Sequence, residues 1–432
     1  MRALDRKLLR DLWHLRGQAL AIAAVIMGGV ATLVMSLSTY DALVTTRDRF
    51  YAEGRFADVF ANLKRAPEPV ADRLRELPGV ERLETRVVAG VKLEVAGFSD
   101  PITGLVVSVP DEGEPLLDAP YLKRGRMVRP GDADEVVVSD SFADAHRLEP
   151  GDRLAAIIEG KRKVLTVAGV AVSPEYVYQI APGAMFPDFK RYGVLWMGRD
   201  ALAAAYDMQG AFNDVALKLS RDADVREVID RVDEVLDRYG GTGSYARPDQ
   251  LSNRFLSEEL KQLKTTATLF PAIFLGIAAF LLDVVVSRLV ALQREQVAIL
   301  KAFGYSNLAV GAHYVKLVML IVLLGVAAGV ALGAWFGQGL SNVYAETTFR
   351  FPYLDFRVRP GVALIALAIS AAAAVSGTLF SVFRAARLAP AEGMRPETPT
   401  VYRATLAERI GLQRWFAAPT RMILRHVERR PV

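Results

Sequence analysis

Cysteine is absent from the 432 residues. That excludes disulfides and thiolate metal sites, and it is compatible with a chain that carries much of its mass outside the cytoplasm. Histidine is nearly as scarce. His14, His146, His313 and His426 are scattered without metal-ligand spacing, so each reads as an ordinary surface or interfacial residue and no metal is expected. A nucleotide-binding loop is also missing. "EGKRKV" contains Gly160-Lys161 but lacks the Ser or Thr that should follow and the upstream glycine spacing. The chain is therefore not predicted to hydrolyse ATP by itself. Ser139 and Ser141 precede His146 without a nucleophile-elbow pattern, so no catalytic residue is assigned.

What is present is a segregation. Apolar residues make up 52% of the chain and charged residues 23%, but the charges are excluded from a few long blocks. Gly17 to Tyr40, Thr265 to Leu282, Leu317 to Ala345 and Pro360 to Phe383 carry none, and the second runs on past Asp283 to Val286. An uncharged stretch of about 20 residues spans the hydrocarbon core as a helix. Four transmembrane helices are predicted, one and then three. The first block exceeds the apolar region of a signal peptide, and no small-residue cleavage pattern follows it, so it reads as a retained anchor.

The net charge of +5 could point to nucleic acid, but the basic residues cluster beside the spans. Arg2, Arg6, Lys7, Arg10 and Arg16 precede the first. Arg288, Arg294, Lys301 and Lys316 lie between the second and third. Arg384, Arg387, Arg395 and Arg403 follow the fourth. The positive-inside bias predicts a cytoplasmic location for all three segments. The loop 346–359, with Arg350, Arg357 and Arg359, runs against that bias.

The expected layout is a cytoplasmic N-terminus over 1–16, spans over 17–40, 265–287, 317–345 and 360–383, and a large α+β extracytoplasmic domain over 41–264. A cytoplasmic loop covers 288–316, a short outer loop 346–359, and a basic cytoplasmic tail 384–432. Within the domain, "EPVADRLREL" reads as a helix ending at Pro78-Gly79. "VKLEVAG", "ITGLVVSV", "DEVVVSD", "GVLWMG" and "NDVALKLS" read as strands, and 153–170 as a hairpin turning at Glu159-Gly160-Lys161. Asp224 with Glu227 forms a capping-box pattern ahead of a stripe from Val225 through Val228, Ile229, Val232 and Val235 to Leu236. Some 220 residues is enough for a folded core, expected in two lobes. Residues 251–264 read as a helix continuing into the second span.

In the third span Gly325, Gly329, Gly333 and Gly337 recur every four residues. Small residues on one helix face let backbones approach closely in lipid. The stripe reads either as close packing within one bundle or as a seam with a second permease half. Asp283 lies near the inner end of its span. It reads as a snorkelling or paired carboxylate, or as a proton-relay candidate.

Between the second and third spans stands "QREQVAILKAFGYS", residues 293–306. Val297, Leu300 and Phe303 recur at helical spacing with Ile299 nearby, Arg294, Glu295, Gln296 and Lys301 are polar, and Gly304 closes the helix. A short amphipathic helix is predicted, either resting on the membrane or serving as a docking element. "RLVALQREQVAILKAFGYSN" strongly resembles the corresponding segment of the FtsX-like permease family of ABC transporters, which includes the MacB-type exporters and the lipoprotein-release permeases. The match falls on Val297, Ala298, Ile299, Leu300, Lys301, Ala302 and Gly304, while Glu295-Gln296 stand where the family places its Glu directly before the Ile or Val. "RAARLAPAEGMRPE", with Pro390 and Arg395, resembles the segment after the family's last span, with Met394 in place of a Leu. "LKRGRMVRPGDADEVVVSDSFADAHRLEPGDRL" resembles its outer core domain.

The resemblance implies a non-catalytic permease subunit and a separate cytoplasmic ABC ATPase that binds the ATP. The amphipathic helix would be the coupling helix, with Glu295, Leu300, Lys301, Phe303 and Gly304 as contact residues. Motion would pass to the outer domain, which is mechanotransmission. It implies a bacterial inner-membrane location, a second permease half or a homodimer, contact with lipid, and in some members a periplasmic adaptor; nucleic acid is not expected. The cargo class implied is lipophilic, lipoprotein or small-molecule. The alternative is a signalling relative that activates a cell-wall hydrolase or works with a sensor kinase without transport. "RMILRHVERRP", 421–431, resembles the basic entry to a first span, so the chain is expected to be the first half of a longer permease or to pair with another chain.

Overall fold

The computed structural model describes residues 3–387. The basic tail, the motif around Pro390, Met394 and Arg395, and His426 lie outside the described residues.

Among the described helices, four are long and apolar enough to cross a membrane: Arg16–Glu53, Leu251–Leu292, Asn307–Thr348 and Pro360–Phe383. A short α1 (Ala3–His14) precedes α2 (Arg16–Glu53). The domain inserted after α2 begins with β1 (Val59–Pro67), α3 (Pro69–Arg75), β2 (Val80–Arg86), β3 (Val88–Glu94) and β4 (Ile102–Val109). It continues with β5 (Tyr121–Gly125), β6 (Glu135–Ser139), α4 (Asp140–His146), β7 (Arg153–Ile158) and β8 (Lys161–Val172). It ends with β9 (Tyr192–Gly198), α5 (Arg199–Ala205), β10 (Ala211–Leu219), α6 (Val225–Leu236) and β11 (Ser244–Ala246). Then come α7 (Leu251–Leu292), α8 (Arg294–Ala302), α9 (Asn307–Val343) with a wider turn over Tyr344–Thr348, and α10 (Pro360–Arg387). The chain is thus an α-helical bundle of one span and then three, with an α+β domain inserted after the first.

The domain has two lobes, each built on its own sheet. The smaller has the order β11-β1-β10-β2, and α3 and α6 cover it with Val70, Leu74, Val228, Val232 and Leu236. The larger has the order β5-β8-β6-β9-β4-β3-β7, and β8 also pairs with β7, so this sheet curls back on itself around Val106, Val138, Leu154, Leu165 and Leu195. The β7–β8 hairpin turns on Glu159 (φ 46°) and Gly160 (φ 72°), the left-handed pair that matches the twist of flanking strands.

Two local expectations change. Val225, placed on the apolar stripe of α6, is 38% exposed, because the stripe narrows to Val228, Val232 and Leu236. Asp224 caps the helix by accepting from the Arg226 and Glu227 amides, but the Glu227 side chain bonds Arg231 instead of closing the box.

Beyond the spans expected from the sequence, residues 41–53 of α2 and 251–264 of α7 continue towards the domain as a stalk of about 20 Å. Tyr51 of one donates to Asn253 of the other at 3.3 Å. A separate apolar core at the stalk top gathers Phe50, Phe56, Phe60, Tyr178, Leu256, Leu260, Phe349 and Phe351.

Candidate functional site

The candidate machinery has two ends joined by the bundle. At the end away from the domain, α7 stops at Leu292 and α8 starts at Arg294, with Gln293 between them. α8 ends because Gly304 adopts φ 92° and the Gly304 and Tyr305 amides return to the Lys301 and Leu300 carbonyls, a left-handed cap that suits glycine. Only Val297 and Ala298 of α8 are buried. Leu300 and Lys301 are half-buried, Glu295 and Gly304 exposed, and Phe303 is 80% exposed. The apolar face anticipated from helical spacing is therefore split: Val297 packs on the bundle, while Ile299 and Phe303 are exposed, as is Leu308 near the start of α9 at 83%.

The glycine stripe of α9 lies against α2 of the same chain. A Cβ on Gly325 would sit 2.8 Å from Ile26 Cβ, on Gly329 2.7 Å from Val30 Cβ, and on Gly333 2.7 Å from the Ala31 carbonyl oxygen. On Gly337 it would lie 2.6 Å from the Phe356 ring, and Thr39 of α2 donates to the Gly337 carbonyl at 3.4 Å. Packing between two backbones occupies this face. Asp283 accepts from Ser381 of α10, whose hydroxyl also meets Ser287 at 2.6 Å. It is a paired carboxylate between two spans.

At the domain end the loop after α9 climbs the stalk. Phe349 is 1% exposed and packs on Tyr178, with ring centroids 5.6 Å apart, and Phe351 meets Phe50 edge-on at 6.1 Å. Arg350 bonds Asp144 at 2.9 Å and approaches Asp140 at 3.5 Å, while its amide donates to the Val177 carbonyl at 2.9 Å. Tyr353 donates to Glu53 at 2.7 Å, and Arg49 covers its ring. Arg359 faces Asp41 at 3.5 Å. These contacts explain why a loop rich in arginine sits at this end: acids of the stalk and domain pair two of its cations. This clasp was not readable from the residues alone, since nothing local marks a contact with α4 two hundred residues away.

Beside it, where both lobes meet the stalk, Arg86 is buried among three acids. Its guanidinium bonds Asp214 and Glu175 at 2.6 Å each and lies 3.4 Å from Asp118. Asp118 also accepts from the Ala57 amide at 2.9 Å, just beyond α2, and Gln250, just before α7, donates to the Glu175 carbonyl at 2.8 Å. Burial pushes the Asp118 carboxyl well above the ordinary range, with Glu175 adding and Arg86 opposing. Burial raises Asp214 as well, against the Arg86 charge. One cation faces three buried carboxylates, an arrangement that favours the protonated form of Asp118.

The other sequence candidates fall elsewhere. His14 bonds the Arg10 carbonyl and His146 the Lys190 carbonyl, each at 2.9 Å, and His313 is buried against Asp11. Ser141 donates to Gln179 at 2.7 Å, and Ser139 accepts from the Val194 amide at 3.3 Å. Among the described residues, no group of three or more His, Asp or Glu could hold a metal ion.

Two family models match the sequence. One, the FtsX-like permease C-terminal, matches residues 268–390. The other, the MacB-like periplasmic core domain, matches residues 19–235. Among solved structures, the extracellular domain of the noncanonic ABC-type transporter YknZ from Gram-positive bacteria is similar at 11% identity, covering 44% of this chain and 98% of that one, with a TM-score of 0.30. The periplasmic region of MacB from Actinobacillus actinomycetemcomitans is similar at 12% identity, covering 48% and 94%, with a TM-score of 0.31. A comparison with curated proteins gives no match.

Proposed function

The chain belongs to the FtsX-like permease family with a MacB-like periplasmic core domain, and from that premise we propose that it is the permease subunit of an ABC transporter. It is a multi-pass membrane protein, read here as lying in a bacterial inner membrane with α1 and α8 on the cytoplasmic side. A separate ABC ATPase binds and hydrolyses ATP and presses on α8. The bundle carries that motion to the outer domain, which moves a lipophilic, lipoprotein or small-molecule cargo. A second permease half or a second copy completes the complex, and a periplasmic adaptor is a further partner.

The observation that carries the reading is continuity. A single helix, α7, runs about 63 Å from the start of α8 to Gln250, whose side chain bonds the Glu175 carbonyl of the outer domain. α9 leaves the other end of α8 and finishes in the clasp on the stalk. A push on α8 therefore reaches the domain by two packed routes.

The contact residues proposed for the ATPase are Glu295, Leu300, Lys301, Phe303 and Gly304. Phe303, being outermost, supports the sharpest test. Phe303→Asp places a charge where a partner's apolar pocket would receive the ring, and leaves the chain's own core untouched. Co-purification of the ATPase subunit should be lost while the permease remains in the membrane at its normal level. Unchanged co-purification of Phe303→Asp together with Leu300→Asp would refute the assignment of α8.

A further inference from the structure

The hinge of α8 is a single residue. Gln293 has φ −101° and ψ 16°, outside the helical basin, so α7 and α8 are separate rods joined at one point. Three side chains from two other helices converge on its carboxamide. Lys7 of α1 donates to Gln293 Oε1 at 2.6 Å, and Tyr314 of α9 donates to the same oxygen at 3.4 Å. Gln293 Nε2 donates to Asp11 Oδ1 at 3.0 Å. Asp11 is 5% exposed, and its second oxygen is held by Lys7 and lies 3.3 Å from His313 Nε2 of α9. Beside this grip, Val297 and Ala298 are the buried side chains of α8.

We propose that α1 is an angle-setting latch for α8: Lys7 and Asp11 grip the Gln293 carboxamide, and Gln293 is a positioning residue whose release lets α8 swing against α7 and α9. From its sequence α1 read only as a basic entry to the first span. In the structure its buried acid Asp11 is aimed at the hinge.

The charge state fits a latch that stays closed at rest. Burial pushes the Asp11 carboxyl up, but hydrogen bonds from His313, Lys7 and Gln293 and the Lys7 charge outweigh it and hold it at about 2. A folded value below the unfolded one contributes stability above an unfolded value near 4, and that contribution is lost only as pH falls towards about 2. The carboxylate is therefore ionised across the physiological range, and protonation of Asp11 is not the release signal. Hydrogen bonds to an ionised group are the stronger kind, and truncating one partner leaves a buried charge with fewer donors. A mechanical load on α8 can open such a latch, and it recloses when the load is removed.

The latch rests on the proposed coupling role only for its consequence, and its geometry can be tested on the permease alone. The natural chain has no cysteine, so Phe303→Cys with Leu323→Cys gives a spin-label pair between the end of α8 and the middle of α9 without background. Both sites are exposed. In nanodiscs without nucleotide or ATPase, the labelled chain should show one narrow distance. Gln293→Met removes all three bonds at nearly constant volume, and the narrow peak should be lost, while a Leu116→Cys/Met185→Cys pair in the outer domain keeps its distance. Asp11→Asn combined with Gln293→Glu exchanges amide and carboxylate and keeps an acid for Lys7, so the narrow peak should return. A narrow peak in Gln293→Met, or a swapped variant as broad as Gln293→Met, overturns the proposal. Failure of Phe303→Asp to release an ATPase would sink the coupling role and leave this measurement unaffected.

Discussion

Tyr353, in the loop between α9 and α10, donates its hydroxyl to the carboxylate of Glu53 at the top of α2, at 2.7 Å and 300 positions apart in sequence. The bond ties the far end of α9 to the stalk, next to the buried Phe349 and Phe351. Arg49 stacks on the same ring, 4.3 Å from its centroid, and also bonds Glu53 at 2.8 Å. The Tyr353 and Arg49 hydrogen bonds hold the Glu53 carboxyl below its ordinary value despite some burial.

The clasp predicts a separation of hydrolysis from movement. Tyr353→Phe removes one exposed hydrogen bond and should cost about 1 kcal/mol or less, read as faster amide exchange over 349–353 alone. Phe349→Ala empties a buried ring site and should cost about 3 kcal/mol. In a reconstituted complex it should leave ATP hydrolysis within about two-fold of normal, a shift of less than 1 kcal/mol in barrier, while cargo movement is lost. If Phe349→Ala transports normally, the clasp is no part of the path.

The glycine stripe predicts a steep size dependence at one face and none at another. Gly329→Leu pushes carbon into Val30 and the Met27 carbonyl, where even a Cβ would lie at 2.7 and 3.0 Å. It should cost about 3 kcal/mol and abolish the folded chain in the membrane. Gly339 lies on the same helix with nothing within 4 Å of its Cβ position, so Gly339→Ala should be neutral or slightly stabilising. Detergent-resistant fluorescence of a tagged chain on size exclusion reads both. A monodisperse Gly329→Leu peak at full height would contradict the packing.

The raised Asp118 carboxyl at the Arg86 node predicts a pH dependence with a definite sign. An exposed carboxyl titrates near about 4, whereas Asp118 is raised well above that by burial. Folding therefore takes up a proton above the unfolded value. The stabilisation is full below about pH 4 and is lost as pH rises through the folded pKa. Amide protection of β2 and β10, corrected for intrinsic exchange, should fall as pH rises above the ordinary carboxyl range. Asp118→Asn should flatten that fall. A slope unchanged by the substitution would place the proton elsewhere.

How much of this was legible in the sequence depended on the solvent each segment meets. Lipid demands long uncharged helices, so the four spans were plain, as was α8 with its Gly304 stop. Strands with short runs of apolar and β-branched residues, such as β4 and β9, were also legible. β2 was not, because Glu84 and Arg86 occupy its inward positions and make a buried strand look like solvated sequence. The loop 346–359 was misleading for a related reason. Its arginines argued against an outer location, and only the fold shows Arg350 meeting Asp140 and Asp144, and Arg359 meeting Asp41. Gln293 looked like one polar residue among several, because its partners on α1 and α9 are fixed by helix packing and not by local spacing. The α8 contact residues were readable as a pattern, but which of them face outward was not.

The central claim is that work done at α8 reaches the outer domain through the bundle. It is tested most directly by spin labels at Met185→Cys in the outer domain and Trp335→Cys on α9, both largely exposed, in the complex with its ATPase in nanodiscs. Addition of ATP and magnesium under turnover should shift the distance distribution between them, and Phe303→Asp should abolish the shift. A distribution identical with and without ATP, in a complex that is hydrolysing it, would contradict the account.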